Sequence, residues 1–448
     1  MLATILLAAY GIALLAIALT SYKFNDSMEN YLIAGRSQKK LFVVASMMAS
    51  TIGGGLTLGA VTKTWNMGFP AFWLIAAGAL AHLLQGVLLS AKVRQTEALT
   101  MPDMANKLVG PSVRLLTSVI ILITWTGIAT AQFVAATTIV ADITHLSYTP
   151  ALIIVVAFLV VYTLIGGQKS VIRTDFFQFG ILAIALIFTL VWLFTKQNDG
   201  NLAITIDLFN DKFNFTSLLY YIVVMGGSYF ICPMMFTRIL SADSAATARK
   251  SSFWSAAGML IFAFIITGIG LWAKASIGDL NGAQPLNLIA AQYLPKFGGG
   301  LLIFGLLSAI LSTADTVLLT AAGSLQKDII GKDSVAGIRV WIVVISIVAA
   351  VIALFYKDII GIIMKTYNGY TAGIVPALLV AILFAGKKRM HEGLTFTAIV
   401  VGYALGLTGS FMATGSTGAQ VLPLLGLAAS ALLSVAALYM PKRGNPAQ

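Results

Sequence analysis

The residues best suited to chemistry in this chain are hydroxyl side chains in the middle of a long apolar run. Ala309, Ser312, Thr313 and Thr316 follow the i, i+3, i+4, i+7 pattern and therefore share one face of a predicted helix. Hydroxyl oxygens are hard ligands of the kind that a small alkali cation prefers. The alternative is that these hydroxyls bond back to carbonyls of their own helix.

Glycine runs interrupt two other apolar segments. Gly53-Gly54-Gly55 follows Ala49-Ser50-Thr51-Ile52, and Gly226-Gly227 lies in a second apolar segment, five predicted helices further along. A broken helix frees backbone carbonyls, and such backbone is tolerated at membrane depth only where protein or a wet cavity satisfies it. Breaks at matching positions of two halves are typical of the binding site of a secondary transporter. Alternatively, the glycines only permit close helix packing.

Three ionisable side chains stand out inside apolar runs, where charge is costly and a functional role is the default hypothesis: Asp175, Asp315 and Lys365. Asp175 begins a predicted span, so it either stabilises the start of that helix or guides a departing cation. Lys365 is predicted to lie roughly 10 Å below the outer end of its span. It either extends to the surface, meets an anionic solute group, or seals an outer gate.

His82, Gln85 and Gln132 are further polar residues inside predicted spans. For each of them a hydrogen bond between helices is favoured over a contact with a solute. Gln85 and Gln132 nevertheless remain candidates for a cavity.

These side chains must be positioned by membrane-spanning helices. The 448 residues are 59% hydrophobic and only 10% charged, whereas soluble chains are about 25% charged. Apolar runs of about 18 residues or more recur along the whole chain, and each is long enough to cross a bilayer. We predict an all-α membrane protein with thirteen transmembrane helices, at 2–20, 42–60, 69–91, 115–139, 150–166, 174–195, 217–236, 253–273, 299–321, 338–355, 358–384, 394–412 and 419–440.

The distribution of basic residues predicts the orientation of these spans. A net charge of +12 would suggest nucleic-acid binding in a soluble chain. Here, with the N-terminus outside, most of the 28 lysines and arginines fall in inner loops, and Arg238 is counted among them. The outer loops then hold only Lys63, Lys196, Lys212, Lys274, Lys296 and Lys357. We therefore predict a multi-pass protein of the plasma (inner) membrane with a cytoplasmic C-terminus.

Several other classes are disfavoured. Cys232 is the only cysteine, which excludes an intrachain disulfide or a thiolate metal cluster. Gly166-Gly167-Gln168-Lys169-Ser170 lacks the glycine directly before lysine that a phosphate loop requires, so we expect no ATP binding. The three histidines form no zinc-protease motif, and we expect no enzyme and no nucleic-acid partner. The first span has no basic segment before it, so we expect it to be retained rather than cleaved as a signal peptide.

At these residues the chain resembles the sodium:solute symporter family, the group that contains bacterial proline, sialic acid and sodium/galactose transporters. The resemblance covers nearly the whole chain. Its strongest parts are the Gly-Gly-x-x-x-Val-x-x-Thr-Asp-x-x-Gln run at 166–178 and Ser312-Thr313-Ala314-Asp315. The glycine-rich stretch at 49–59 and the Pro-x-x-Phe-x-Arg-Ile-Leu-Ser-Ala run at 233–242 support it.

The resemblance implies the leucine-transporter fold with two inverted five-helix repeats. In this chain it implies a preliminary helix at 2–20, a first repeat at 42–195, a second repeat at 217–384 and two peripheral helices at 394–440. All of these belong to one transmembrane transporter domain.

The resemblance also implies a sodium site formed by the carbonyls of Ala49, Ile52 and Ala309 and the hydroxyls of Ser312 and Thr313. Asp175 matches an acid on the sodium exit path, and members with two sodium ions use this neighbourhood for the second. We place Asp175 and Asp315 there. Family members often carry an acid or a hydroxyl near position 51, where this chain has Thr51. The candidate solute-binding residues, taken from glycine breaks and polar positions, are Gly54, Thr57, Gln85, Gln132, Ser228, Tyr229, Lys365, Tyr367 and Asn368.

The functional hypothesis is a sodium-coupled symporter that imports a small organic solute by alternating access and works as a monomer in the lipid bilayer. Lys365 favours a carboxylate-bearing solute such as an amino acid, a monocarboxylate or a sugar acid. The main alternative is a transporter-like sensor or regulatory subunit that binds solute without turnover. A channel would need a continuous polar pore, whereas the polar residues here cluster near the membrane midplane.

Overall fold

The computed structural model describes residues 2–196, 204–280, 282–412 and 416–440. Within them every secondary-structure element longer than an isolated β-bridge is a helix. The α-helices are α1 Leu2–Ser21, α2 Met28–Ile33, α3 Lys40–Thr51, α4 Gly54–Met67, α5 Trp73–Leu84, α6 Ser90–Gln95, α7 Met101–Leu108, α8 Pro111–Thr144, α9 Tyr148–Lys196, α10 Phe215–Leu219, α11 Gly226–Phe230, α12 Pro233–Ser241, α13 Ala245–Ser276, α14 Pro285–Leu288, α15 Lys296–Ser324, α16 Val335–Phe355, α17 Ile359–Leu383, α18 Glu392–Ser410 and α19 Thr417–Ala436. Short 3₁₀ segments lie at Tyr22–Phe24, Ala34–Arg36 and Phe69–Phe72, and π-helical segments at Gln85–Leu89, Tyr220–Met225, Ile289–Tyr293 and Leu325–Ile329.

Among the described residues, ten helices are long and apolar enough to cross a membrane, or up to twelve if each of two bent pairs is one span. The predicted count of thirteen is not reproduced. The difference concerns 150–166 and 174–195, which both fall in the 49-residue α9. A straight helix of that length would measure about 74 Å, more than twice the hydrocarbon thickness of a bilayer.

The long helix α9 is interrupted at Gly167. This residue has φ 58° and ψ −175°, a backbone conformation that side chains with a Cβ rarely adopt. The Asn25 side-chain amide donates hydrogen bonds to the carbonyls of Ile165 and Gly166, both at 2.9 Å. The carbonyls freed by the interruption therefore have a side-chain partner, which fixes the chain direction at this point.

The first predicted break is confirmed as a feature of the fold. Helices α3 and α4 meet at an angle of 52° across Ile52 and Gly53. Gly53 has an extended backbone, with φ −64° and ψ 157°, and Ile52 also lies outside the helical region. Because α3 ends here, carbonyls of its last turn have no partner within the helix.

The second break is not where the glycine run predicts it. Gly226 and Gly227 lie inside α11, and the chain instead bends by 43° between Phe230 and Pro233. Proline has no N–H to continue the helix and pushes the preceding residue towards an extended conformation. The two glycines serve close packing: a Cβ added to Gly226 would lie 3.1 Å from the Ala77 carbonyl oxygen.

Helix α15 lies at the centre of the molecule. In the most apolar window of Lys296–Ile329, 83% of the residues are buried, whereas the corresponding value is 17% for Ile5–Phe24 and 22% for Thr417–Ala436. The hydroxyl groups on α15 are therefore surrounded mostly by other helices. The first and last helices, in contrast, lie mainly at the protein surface.

Candidate functional site

A central cavity lies between the two broken helix pairs. Its lining includes Gly53 and Gly55 at the first break, Ser228 and Met234 at the second, and Thr313 on α15. It encloses about 810 Å³ between the surrounding atoms, including space open to solvent. The breaks and the hydroxyl face of α15 thus enclose one space.

A wider cavity, here called the vestibule, adjoins the central cavity. It encloses about 1620 Å³, including open solvent, and its charged lining residues are Lys63, Asp211, Lys212, Asp358 and Lys365. Lys63 lines both cavities. Lys63 therefore lies between the two cavities.

The first break touches the hydroxyl-bearing part of α15. A Cβ added to Gly53 would lie 2.7 Å from Thr313 Oγ1, and one added to Gly54 would lie 2.2 Å from Ile310 Cγ1. Only glycine allows this approach without displacing α15. The two stretches that the sequence analysis assigns to a cation site are therefore in contact.

The five residues assigned to sodium are buried at this contact, and their hydroxyls have different partners. Thr313 Oγ1 donates to the Ala309 carbonyl of its own helix at 2.9 Å, which is the alternative considered from the sequence. Ser312 Oγ instead donates to Asp175 Oδ1. A donating hydroxyl keeps its oxygen lone pairs, so both oxygens can still coordinate a cation. Ala49 lies in the last turn of α3 and Ile52 lies at the break, where α3 carbonyls are freed.

A buried ion pair lies next to these residues. Arg238 Nη2 donates to Asp175 Oδ2 at 3.0 Å, and neither side chain is exposed. Asp175 lies inside α9 and not at the start of a helix, as its predicted span implied. Arg238 lies in α12, although the predicted topology placed it in an inner loop. The guanidinium also donates to the hydroxyls of Ser46 (3.0 Å), Ser50 (2.7 Å) and Thr316 (2.6 Å). Four helices, α3, α9, α12 and α15, are therefore joined through one arginine.

Sequence reasoning missed the role of Arg238, although a signal was present. Ser46 and Ser50 are four residues apart, as are Ser312 and Thr316, so each pair presents two hydroxyls on one helix face. Two such faces inside apolar helices require a polar partner, because a buried polar group without one is costly. Arg238, in the run that follows Pro233, supplies that partner.

Asp315 lies close to the Arg238–Asp175 pair but forms no ion pair with Arg238. Its Oδ1 accepts a bond from Thr316 Oγ1 at 3.3 Å, while its Oδ2 has no hydrogen-bond partner among the described residues. The carboxyl group lies near Tyr162 of α9 and is close enough to Asp175 to interact electrostatically. Two buried acids thus lie near a single buried arginine.

Of the nine candidate solute residues, four line the central cavity, two line the vestibule, and Gly54, Thr57 and Gln85 are not among the lining residues of either cavity. Those that line the central cavity are Gln132, Ser228, Tyr229 and Tyr367. Lys365 and Asn368 line the vestibule, where Asn368 Oδ1 accepts a bond from Tyr220 at 2.6 Å. Gly54 packs against α15, and the Thr57 hydroxyl donates to the Gly53 carbonyl at 3.1 Å.

Gln85, the remaining candidate, bonds to the second break. Its side-chain amide donates to the carbonyls of Tyr229 and Phe230, both at 2.9 Å. Pro233 has no N–H with which to satisfy the Tyr229 carbonyl four residues earlier. His82 Nδ1 lies 2.9 Å from Gln85 Oε1 and orients the amide. Gln85 therefore makes the bond between helices that the sequence favours for it.

Lys365 does not line the central cavity. Its ammonium group donates to the Tyr356 hydroxyl at 3.2 Å and lies 5.5 Å and 5.8 Å from the ring centres of Tyr356 and Phe411. Two aromatic rings therefore hold this cation in the vestibule.

The sequence model of the sodium:solute symporter family matches residues 31–402 of this chain. The chain belongs to this family. It is therefore a multi-pass membrane transporter of the sodium-coupled symport class and not an enzyme. Sodium is the ion that this class of transporter carries with its solute.

Individual relatives agree with this assignment. The chain is 26% identical over 432 residues to a sodium/proline symporter of Staphylococcus aureus, covering 89% of this chain and 84% of the relative. A sodium-coupled sialic acid symporter, in a substrate-bound outward-open state, matches with a TM-score of 0.82 at 14% identity, covering 100% and 99% of the two chains. MhsT in complex with L-phenylalanine matches with a TM-score of 0.59 at 14% identity, covering 90% and 99%. The fold of this chain is that of these transporters.

Proposed function

We propose that this symporter imports a small organic solute with sodium by alternating access. The observation that carries the proposal is the contact between Gly53 and Thr313 at the wall of the central cavity. It brings freed helix carbonyls and hydroxyl oxygens to the edge of a space that can hold a solute. One cation at this contact would fix both the break and the cavity wall.

Sodium is proposed to bind the carbonyl oxygens of Ala49, Ile52 and Ala309 and the hydroxyl oxygens of Ser312 and Thr313. All five donors are oxygen atoms, which suit a hard monovalent cation. The bond from Ser312 to Asp175 supports the site, because it directs the lone pairs of Ser312 away from the carboxylate.

A second cation position, or the exit path of the first, is proposed at Asp175 and Asp315. Arg238 can compensate one buried negative charge, and its contact is with Asp175. Asp315 has no ion-pair partner among the described residues. A buried acid without a counter-charge is costly, so this neighbourhood favours an additional cation.

Alternating access is supported by the different surroundings at the two ends of the central cavity. One end lies next to the vestibule at Lys63, whereas the other meets the fully buried Arg238 and its partners through Ser50. We propose that the vestibule faces the outside, with the N-terminus outside and the C-terminus in the cytoplasm. The protein would work as a monomer in the plasma membrane.

The proposed architecture has thirteen spans, with α9 crossing twice and turning at Gly167. The first repeat at 42–195 and the second at 217–384 would each contain one of the two bent helix pairs, with angles of 52° and 43°. The segments at 2–20 and 394–440 would lie outside the repeats. A carboxylate-bearing solute remains the preferred substrate class.

Uptake into proteoliposomes containing the purified full chain tests this function. A thermal-shift screen of carboxylic acids, amino acids and sugars, in sodium and in potassium, first selects the solutes to be labelled. We expect accumulation only with an inward sodium gradient, increased by an inside-negative potential, which contributes about 2.3 kcal/mol per charge per 100 mV. Sodium-dependent binding without uptake would identify a sensor, and unitary conductance steps would identify a channel.

A further inference from the structure

The charge of the central cavity comes from one side chain. Among the described residues that line it, Lys63 is the only charged one, and no acid is present. Lys63 is half-buried in α4, although the sequence analysis assigned it to an outer loop. Gly55, Gly59 and Lys63 are four residues apart and all line the cavity. This face of α4 therefore has no side chain at the two glycines, over about two turns, and then carries the ammonium group of Lys63.

Within the described part of the chain, Lys63 has no ion-pair partner. Of the vestibule acids, Asp358 already accepts a bond from the backbone N–H of Gly361 at 2.9 Å at the start of α17. An ammonium group that is partly removed from water favours a negatively charged partner.

The rest of the cavity wall indicates what kind of anion would fit. Leu56, Leu74, Ile128, Met225, Met234 and Ile363 form apolar surface. Gln132 is 3% exposed, and its Oε1 has no hydrogen-bond partner among the described residues. One cation, no acid and apolar walls match a ligand with one carboxylate and an apolar body, whereas the Gln132 oxygen, an acceptor, can take only a hydrogen-bond donor of that ligand. The cavity offers no carboxylate to pair with the ammonium group of an amino acid.

We propose that the solute is a monocarboxylate with an apolar body and that Lys63 binds its carboxylate at the mouth of the central cavity. This inference rests on the proposed symport function and names its substrate class. Lys63 is assigned this role rather than Lys365, because Lys365 lies outside the central cavity, next to Tyr356 and Phe411.

Matched pairs of an acid and its neutral amide test the proposal. Butyrate and butyramide, and benzoate and benzamide, are titrated against the purified full chain in sodium, with leucine and galactose as a zwitterion and a sugar. We expect at least one acid to bind in sodium at least about tenfold more tightly than its amide. Lys63→Met should weaken binding of the acid by a similar factor and leave binding of the amide unchanged. Lys63→Arg should keep most of the preference for the acid.

Two controls separate this proposal from the proposed function. Lys212→Met removes a vestibule charge whose ammonium group bonds to the Asn66 carbonyl at 3.1 Å, and it should leave the ratio of acid to amide binding unchanged. The thermal shift caused by sodium alone shows whether Lys63→Met is folded. The inference is overturned, while symport stands, if Lys63→Met weakens the binding of acid and amide equally or leaves the ratio of acid to amide binding unchanged. It is also overturned if only leucine or galactose binds in a sodium-dependent way. If no solute shows a sodium effect in the wild type, the proposed function fails.

Discussion

Removing the Arg238 guanidinium should destabilise the protein strongly, and removing the Asp175 charge as well should restore part of the loss. Arg238→Met keeps an unbranched side chain in the space but leaves Asp175 with only the Ser46 and Ser312 hydroxyls as partners. Breaking a buried ion pair from one side costs about 3–5 kcal/mol, because an uncompensated charge stays buried. The double variant with Asp175→Asn has no such charge.

The expected coupling follows from that difference. We expect Arg238→Met to lower the free energy of unfolding by about 3–5 kcal/mol. The loss in the double variant should be smaller than the sum of the two single losses by at least about 2 kcal/mol. Ser50→Ala, which removes one acceptor at 2.7 Å from the guanidinium, should cost only about 1.5 kcal/mol.

The measurement is chemical unfolding of the purified chain in sodium-free buffer, so that bound ligand does not contribute to stability. Adding sodium supplies a second readout. The stabilisation caused by sodium should be larger in Arg238→Met than in the wild type, because a buried carboxylate near Ser312 then lacks its counter-ion. Additive losses in the double variant, together with an unchanged sodium effect, would refute the assignment of Arg238 as the partner that balances this acid.

Three further substitutions probe the cavity and its ion. Ser312→Ala with Thr313→Ala should raise the sodium concentration for half-maximal uptake at least about tenfold and lower protein abundance far less; unchanged sodium dependence rejects the site. Gly53→Ala should raise the sodium requirement several-fold, since its methyl group would lie 2.7 Å from Thr313 Oγ1, whereas Gly180→Ala, which meets nothing within 4 Å, should not. Lys365→Met should reduce uptake of an acid and its amide by the same factor, and a selective loss of the acid would move the carboxylate site to the vestibule.

The sequence was sufficient to predict the first break because its cause is local. Gly53 and Gly54 permit both an extended backbone and an approach that a Cβ would prevent. The same reasoning failed at Gly226, where glycine serves packing and the helix continues. There the break depends on Pro233, and on Gln85, whose amide satisfies the freed carbonyls from 144 and 145 residues away. Glycine content alone does not distinguish the two cases.

Arg238 and Lys63 were missed for a common reason. The predicted spans at 217–236 and 42–60 end where the apolar run ends. Arg238 and Lys63 lie just beyond these ends and were therefore assigned to loops. Both helices continue, to Ser241 and Met67. The partner that allows Arg238 to be buried is Asp175, 63 residues away in the chain, and a local hydropathy average cannot include it. Boundaries at charged residues are therefore the weakest part of such predictions.

The central cavity shares residues with the proposed sodium site and with the partners of Arg238. This provides a physical basis for coupling between sodium binding and solute binding. Ser50 lines the central cavity and accepts a bond from Arg238, while Thr313 lines the cavity and contacts Gly53 at the break. A cation that holds Thr313 and the break together therefore also fixes part of the solute wall. A solute that fills the cavity holds the same wall in place. If the proposed sodium and solute bind the same conformation, each must tighten the binding of the other by the same factor.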